Sequence, residues 1–193
     1  MGLRLITAPA VEPITVADVN DHLRIADPAE ATVISRLIRA AREWAEQYQG
    51  RRLITSTWNW TLDRFPRCGR TLRPYWGPLQ SIDSITYRDA NGVTQQLAEG
   101  TDYDVDVADP PRIVPVGDWP DTDGRPAAVT IQYTAGYGAH PEHVPAATQM
   151  ALLQLVGHWY ENREACAMQD VPAHLLAALD NDRSISLGQA DGL

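Results

Sequence analysis

The apolar residues Val33, Ile34, Leu37, Ile38, Ala41, Trp44, Ala45 and Tyr48 recur at three- and four-residue spacing, the strongest periodic signal in the chain. An α-helix puts such positions on one face, and that face has to be buried. Asp27-Pro28 in front supplies an N-cap and a proline at the first helical position, and Gly50 behind is a stop. The spacing predicts a helix of about 20 residues. A shorter helix precedes it. Thr15 followed by Asp18 reads as a capping-box variant, with Val16, Val19 and Leu23 on one face.

From about residue 52 to 138 the period changes from helical to alternating. Trp58, Trp60 and Leu62 alternate with Asn59, Thr61 and Asp63, the pattern of a half-buried strand. Ile82, Ile85 and Tyr87 lead into Ala90-Asn91-Gly92-Val93, and Asn-Gly between strand-like runs predicts a hairpin. Tyr103, Val105 and Val107 alternate with Asp102, Asp104 and Asp106, and Val129, Ile131 and Tyr133 with Thr130, Gln132 and Thr134. Pro110-Pro111 and the Gly-, Asp- and Pro-rich stretch from Pro115 to Pro126 read as loops.

The third zone is helical again. Ala146 to Tyr160 follows Pro145 and is apolar almost all round, which predicts a largely buried helix. A short helix from Pro172 to Leu179 ends the patterned sequence. The tail from residue 181 to 193 is polar and poor in large apolar residues, so it is expected to order only on a partner. At 193 residues, with 44% hydrophobic and 21% charged, the chain suits one soluble domain. Its apolar runs are far shorter than the ~20 residues of a membrane span. The first residues lack the apolar core of a signal peptide, and Ile6 stands where a myristoylation signal needs Ser or Thr. Cys68 and Cys166 make no disulfide framework, and a reduced compartment is the default.

Charge excludes more than it assigns. All 16 basic residues are arginine. With no lysine there is no Schiff-base chemistry and no P-loop, whose lysine must reach the β- and γ-phosphates. The net charge is −9, and it is lopsided. Residues 1–75 hold 11 Arg against 8 acids, whereas residues 76–193 hold 5 against 17. Such halves offer complementary patches between copies or partners, or simply two solvated surfaces. General duplex binding is disfavoured, since phosphate affinity needs a concentrated basic field.

The candidate chemical sites are sparse. His140, Glu142 and His143 have ligand chemistry for zinc or iron, but their spacing is not that of a helical H-E-x-x-H and no third ligand is marked. The bland alternative is a polar turn before the next helix. Asp102, Asp104, Asp106 and Asp109 resemble the opening of a calcium loop without its glycine and distal glutamate. Glu99 and these aspartates give no defined pair for glycoside hydrolysis. There is no G-x-S-x-G, and Gly136-Tyr137-Gly138 is a fragment of a dinucleotide fingerprint. Cys68 beside Arg67 and Arg70 is either a thiol of lowered pKa or an ordinary loop cysteine. No catalytic, metal or cofactor site is expected. The alternative class is a small metal-assisted hydrolase using His140, Glu142 and His143.

Arg64, Arg67, Arg70 and Arg73 recur every third residue in a segment that Pro66, Gly69 and Pro74 keep from being a helix. Arginine forks bind phosphate and carboxylate bidentately, so this segment reads as a contact with DNA or an acidic neighbour, or as a solvated hairpin. In His158-Trp159-Tyr160-Glu161-Asn162-Arg163-Glu164, the aromatics read first as core and second as a binding surface.

The order of these features resembles a known family. The Thr15–Leu23 and Asp27–Gly50 helices come first, then Arg51-Arg52-Leu53-Ile54-Thr55 with Trp58. Pro78-Leu79-Gln80-Ser81-Ile82 leads to Tyr87-Arg88-Asp89-Ala90-Asn91-Gly92. Tyr133-Thr134-Ala135-Gly136-Tyr137-Gly138, Val144-Pro145-Ala146 and Gly157 to Glu164 follow. Over about residues 10–180 this is similar to the head–tail connector (adaptor) family of tailed phages, with relatives in prophages and gene transfer agents. The tail from Asn181 to Leu193 departs from the family pattern.

The resemblance implies a structural virion protein and no enzyme. It implies an α+β, mainly helical fold. N-terminal helices and a long C-terminal helix form a bundle core, with the helices at about 15–50 and 146–179 and a β-rich insertion at about 52–138. Residues 1–180 are then one adaptor domain. Such a protein forms a homo-oligomeric ring, dodecameric in the family, that joins the portal protein to the downstream neck or stopper protein. Double-stranded DNA passes through it, and no membrane is involved. The implied location is the virion neck, after assembly in the bacterial cytoplasm. Arg64, Arg67, Arg70 and Arg73 are the candidate subunit or DNA-channel contacts. Arg183, Ile185 and Leu187 are the candidate portal contacts.

Overall fold

A computed structural model describes residues 2–67, 70–162 and 171–184. The chain divides into two compact units. One joins Met1–Ala10 to Ile54–Ala139 and is built of strands; the other joins Val11–Leu53 to His140–Leu193 and is built of helices.

In the strand unit, β1 (Gly2–Thr7), β2 (Ser56–Leu62), β3 (Leu79–Arg88), β4 (Thr94–Leu97) and β7 (Val129–Ala135) form an antiparallel sheet in the order β1-β2-β7-β3-β4. β5 (Tyr103–Asp106) and β6 (Arg112–Pro115) form a separate antiparallel hairpin. The alternation in the sequence selects the buried face. Ile131 on the central strand β7 lies between Trp60 of β2 and Ile85 of β3, and all three are buried. Leu62, Phe65, Leu72, Ile113, Val129 and Tyr133 extend this core. Asn91-Gly92 makes the β3–β4 hairpin, with the Asp89 carboxylate accepting from the amides of Asn91 (2.9 Å) and Val93 (3.0 Å). Those bonds and one from the Gln95 side chain, the largest contribution, hold Asp89 below the ordinary carboxylate pKa.

In the helical unit, α1 (Val16–Leu23) starts at the expected capping box, with Thr15 and Asp18 bonded reciprocally. A 3-10 turn at Pro28–Glu30, capped by Asp27, leads into α2 (Ala31–Gln49), which stops at Gly50. α3 (Ala146–Glu161) buries Ala151, Leu152, Leu155, Val156 and Trp159, and α4 (Ala173–Asp180) buries Leu175 and Leu179. α3 packs on α2, and α1 lies close enough to α3 that a Cβ on Gly157 would stand 3.0 Å from Leu23 Cδ2.

The expectation of a mainly helical protein is overturned. About 33% of the described residues are helical and 28% are strand, in seven strands and two antiparallel sheets. The two C-terminal helices expected from the pattern are α3 and α4, but they and the N-terminal helices do not make the fold mainly a helix bundle. Two strands lacked a legible pattern. β1 is an edge strand exposed along nearly its whole length, and β6 is four residues between prolines.

Within the helical unit a buried ion cluster ties α2 to the chain that leaves it. Glu46 is 0% exposed. Its Oε2 accepts from Arg42 Nη1 at 3.0 Å and from Arg52 Nη1 at 2.7 Å, and its Oε1 accepts from the Leu53 amide at 3.0 Å. Arg42 also donates from Nε to Glu12 at 2.7 Å. Burial pulls the Arg42 pKa down, but the bond to Glu12 and the charges of Glu46, Glu12 and Glu43 outweigh it and hold it above the usual value.

Candidate interaction surfaces

Two surfaces stand out, one in each unit. In the helical unit, the chain after α4 is fastened to the C-terminal end of α2. Gln49 Nε2 donates to the Leu179 carbonyl (3.0 Å), and the Ser184 amide donates to the Gln49 carbonyl (2.8 Å). Arg51 donates to the Asp182 carbonyl, and Thr148 Oγ1 to the Asp182 carboxylate (3.2 Å). The Tyr48 hydroxyl donates to Asp180 (2.7 Å), a bond that raises the tyrosine pKa above its ordinary value. Trp44, Tyr48 and Arg183 stack in series. The two rings are 5.3 Å apart and 8° from parallel, and the guanidinium lies 4.9 Å from the Tyr48 ring centre. Arg183 also reaches Asp180 at 3.6 Å. The tail therefore starts from a fixed point. Of the candidate portal contacts, Arg183 sits in this anchor, while Ile185 and Leu187 lie outside the described residues. No sequence motif marked Gln49, Arg51 or Tyr48, because their partners are about 130 residues away.

In the strand unit, the candidate arginines lie on a loop in which Phe65, Leu72 and the Arg70 carbonyl are held in place. Phe65 is buried, stacked on Trp119 at 4.8 Å and set edge-on to Tyr87 at 5.7 Å. Trp119 Nε1 donates to the Arg70 carbonyl (2.8 Å). Leu72 is buried and exchanges backbone bonds with Ile113 at 2.9 and 2.8 Å. Arg64, Arg67, Arg70 and Arg73 point outward and are exposed. None of the four side chains makes a hydrogen bond or ion pair with a described residue. Arg64 and Arg67 line a shallow cleft of about 250 Å3 with Phe65, Pro120, Asp121, Thr122 and Gly124. Arg4, Arg24 and Arg36 are likewise exposed without an ion pair among the described residues, whereas the other described arginines are engaged. Arg39, Arg42, Arg52, Arg88, Arg112, Arg125 and Arg183 are all in ion pairs.

The Leu72–Ile113 bridge makes the arginine segment a neighbour of β6, which in turn pairs with β5. On β5, Tyr103 and Val105 turn to the core while Asp104 turns out. Asp106 is matched by Arg112 through Nε at 3.2 Å, which lowers its pKa. Asp102 accepts from the Ala98 amide at 2.8 Å. Burial raises the Tyr103 pKa, and the charges of Glu99 and Asp102 raise it further. The calcium-loop reading of these aspartates has no geometry to rest on. His140 and His143 sit edge-to-face at 5.7 Å around a 3-10 turn at Pro141–His143. Among the described residues no three His, Cys, Asp or Glu side chains gather to hold a metal ion. Cys68 and Cys166 fall outside the described residues. No helix among the described residues is long and apolar enough to cross a membrane.

The family model of the head completion protein matches residues 12–169, and the chain belongs to that family. No curated protein matches the sequence. Among solved structures, the chain is similar to one from the virion of a native gene transfer agent particle, with a TM-score of 0.80 and 26% identity. It is also similar to one from the neck of an empty particle of that kind, computed with C6 symmetry (0.79, 25%). A third is from the neck of a native particle, computed with C12 symmetry (0.74, 28%). Each match covers 98% of both chains. The role is structural, in head completion at the particle neck, and not enzymatic.

Proposed function

We propose that this protein is the head–tail connector of a tailed phage or gene transfer agent. Copies close into a ring, of twelve by the resemblance, between the portal protein and the next neck or stopper protein. Packaged double-stranded DNA passes through the opening. The ring assembles in the bacterial cytoplasm. The full-length likeness to chains from solved necks with sixfold and twelvefold symmetry supports the ring. A net charge of −9 favours a passage that does not grip the duplex.

The observation that carries the portal contact is the anchor at the end of α2. A polar tail that was never ordered would not need its root held by five residues, Tyr48, Gln49, Arg51, Thr148 and Arg183. We assign residues 185–193, with Arg183 at their base, to the portal. Repetition around a ring multiplies a weak contact into a firm one. Deleting residues 185–193 leaves the anchor intact. The truncated chain is expected to fold normally, with retention on purified heads falling about a hundredfold or more. Retention at the wild-type level in a sedimentation assay overturns the assignment.

A further inference from the structure

The ring reading leaves open which faces of neighbouring copies meet, and the strand unit carries an answer. Its arginine segment, β6 and β5 lie side by side, with unpaired arginines at one margin and unpaired carboxylates at the other. Leu72, Ile113 and Val105 form the inward row. One position further along the same register, Arg73 stands beside Arg112, and Arg112 faces Asp106. The middle charges neutralise each other. Left over are Arg64, Arg67, Arg70 and Arg73 at one margin, and the exposed Glu99 and Asp104 at the other. Neither carboxylate has a hydrogen-bond or ion-pair partner among the described residues.

We propose that the arginine margin of one copy docks on the Glu99–Asp104 margin of the next. This rests on the ring reading and names the partner that it requires. A closed ring uses two different faces of each copy, and these two are complementary in charge and lie on opposite sides of one small sheet. The segment is also preorganised. Phe65, Leu72 and the Trp119 bond hold the backbone at 65, 70 and 72, so a carboxylate partner has chiefly the guanidinium ends to order there. Arginine takes carboxylate through two parallel N–H donors, which sets register as well as attraction.

DNA is the weaker occupant. It would leave the two unmatched carboxylates without a role. Asp118 and Asp121, exposed on the loop near the arginines, weaken the local positive field for either occupant. The strand unit as a whole carries eight arginines against eleven carboxylates.

The test uses the full-length chain with charges exchanged on one margin at a time. Arg70→Glu with Arg73→Glu cancels the positive charge of the arginine margin; Glu99→Arg with Asp104→Arg makes both margins basic. All four changes sit on exposed side chains, and circular dichroism melts check that each variant folds. Each pair alone is expected to weaken self-association about tenfold or more in sedimentation velocity. An equal mixture of the two variants should restore it. Alternating copies then place Glu against Arg at one contact and the natural pair at the next. The quadruple variant should restore it as well. Folded variants that associate like the wild type, or a mixture that stays dissociated, overturn the proposal. If Arg70→Glu with Arg73→Glu leaves association intact and lowers salt-dependent affinity for a random duplex, DNA is the occupant instead. A wild-type chain counted as a single copy per particle removes the ring reading beneath the proposal, a result distinguishable from any variant effect.

Discussion

Glu46→Ala is expected to lower stability by about 3–5 kcal/mol, the cost of leaving buried charges without their partner. The residue has no contact with solvent, and both of its oxygens are used. Removing it takes a buried carboxylate from Arg42 (6% exposed) and from Arg52, and leaves the buried Leu53 amide unbonded. Replacing a buried ion cluster with apolar residues can be neutral, but removing one member cannot. Against a total of about 5–15 kcal/mol for a domain, this is a large fraction. Urea unfolding of the variant measures it. Glu12→Ala is the control. Glu12 is about a third exposed and meets only one arginine, so its loss should cost about 1 kcal/mol. If Glu46→Ala melts within about 1 kcal/mol of the wild type, the cluster is not what joins α2 to residues 52–53.

Gly136→Ala is the second large effect, expected at about 3 kcal/mol or more. Gly136 follows β7 with φ of 136°, a conformation that side chains rarely adopt. A Cβ there would stand 2.6 Å from the Ile54 carbonyl carbon and 2.6 Å from the Thr55 amide nitrogen. Those are backbone atoms, and the strand end is fixed. The Gly136 amide donates to the Pro78 carbonyl (2.9 Å), and the Thr55 amide to the Gly138 carbonyl (2.9 Å). Nothing can rotate out of the way. Gly100 supplies the contrast. It too has positive φ, at 77°, but open space around it, so Gly100→Ala should cost about 1 kcal/mol. Thermal melts of the two variants separate steric exclusion from backbone strain. Equal shifts contradict the account.

Local signals in the sequence were readable where one residue type does one physical job. Thr15 with Asp18, Asp27 before Pro28, Gly50, and Asn91-Gly92 each mark a chain end or turn, and each lies where the structure uses it. Trp58, Trp60 and Leu62 alternate because β2 has one buried face. The balance between helix and strand was not readable. β1 shows no alternation, since only Leu3 packs against the core and Leu5 and Ile6 are exposed. β6 hides between prolines and takes its place from pairing with Leu72 and β5, forty residues and a few residues away. The arginine segment was visible as a pattern, but its lack of partners was not, because pairing is set by tertiary neighbours. Glu46 carried a faint signal that went unread. It sits four residues after Arg42, on the side of the helix where Ile38, Ala45 and Gln49 are buried. Opposite charges at that spacing inside an apolar stripe imply a buried pair.

Three-dimensional imaging of the neck of the purified particle tests the central claim most directly. The account predicts a closed ring of copies of this chain at the head vertex, coaxial with the DNA. Each copy should set its arginine margin against the next copy's Glu99 and Asp104, with its C-terminal residues turned toward the portal. A neck in which this chain is absent, or is present as one isolated copy, contradicts the account.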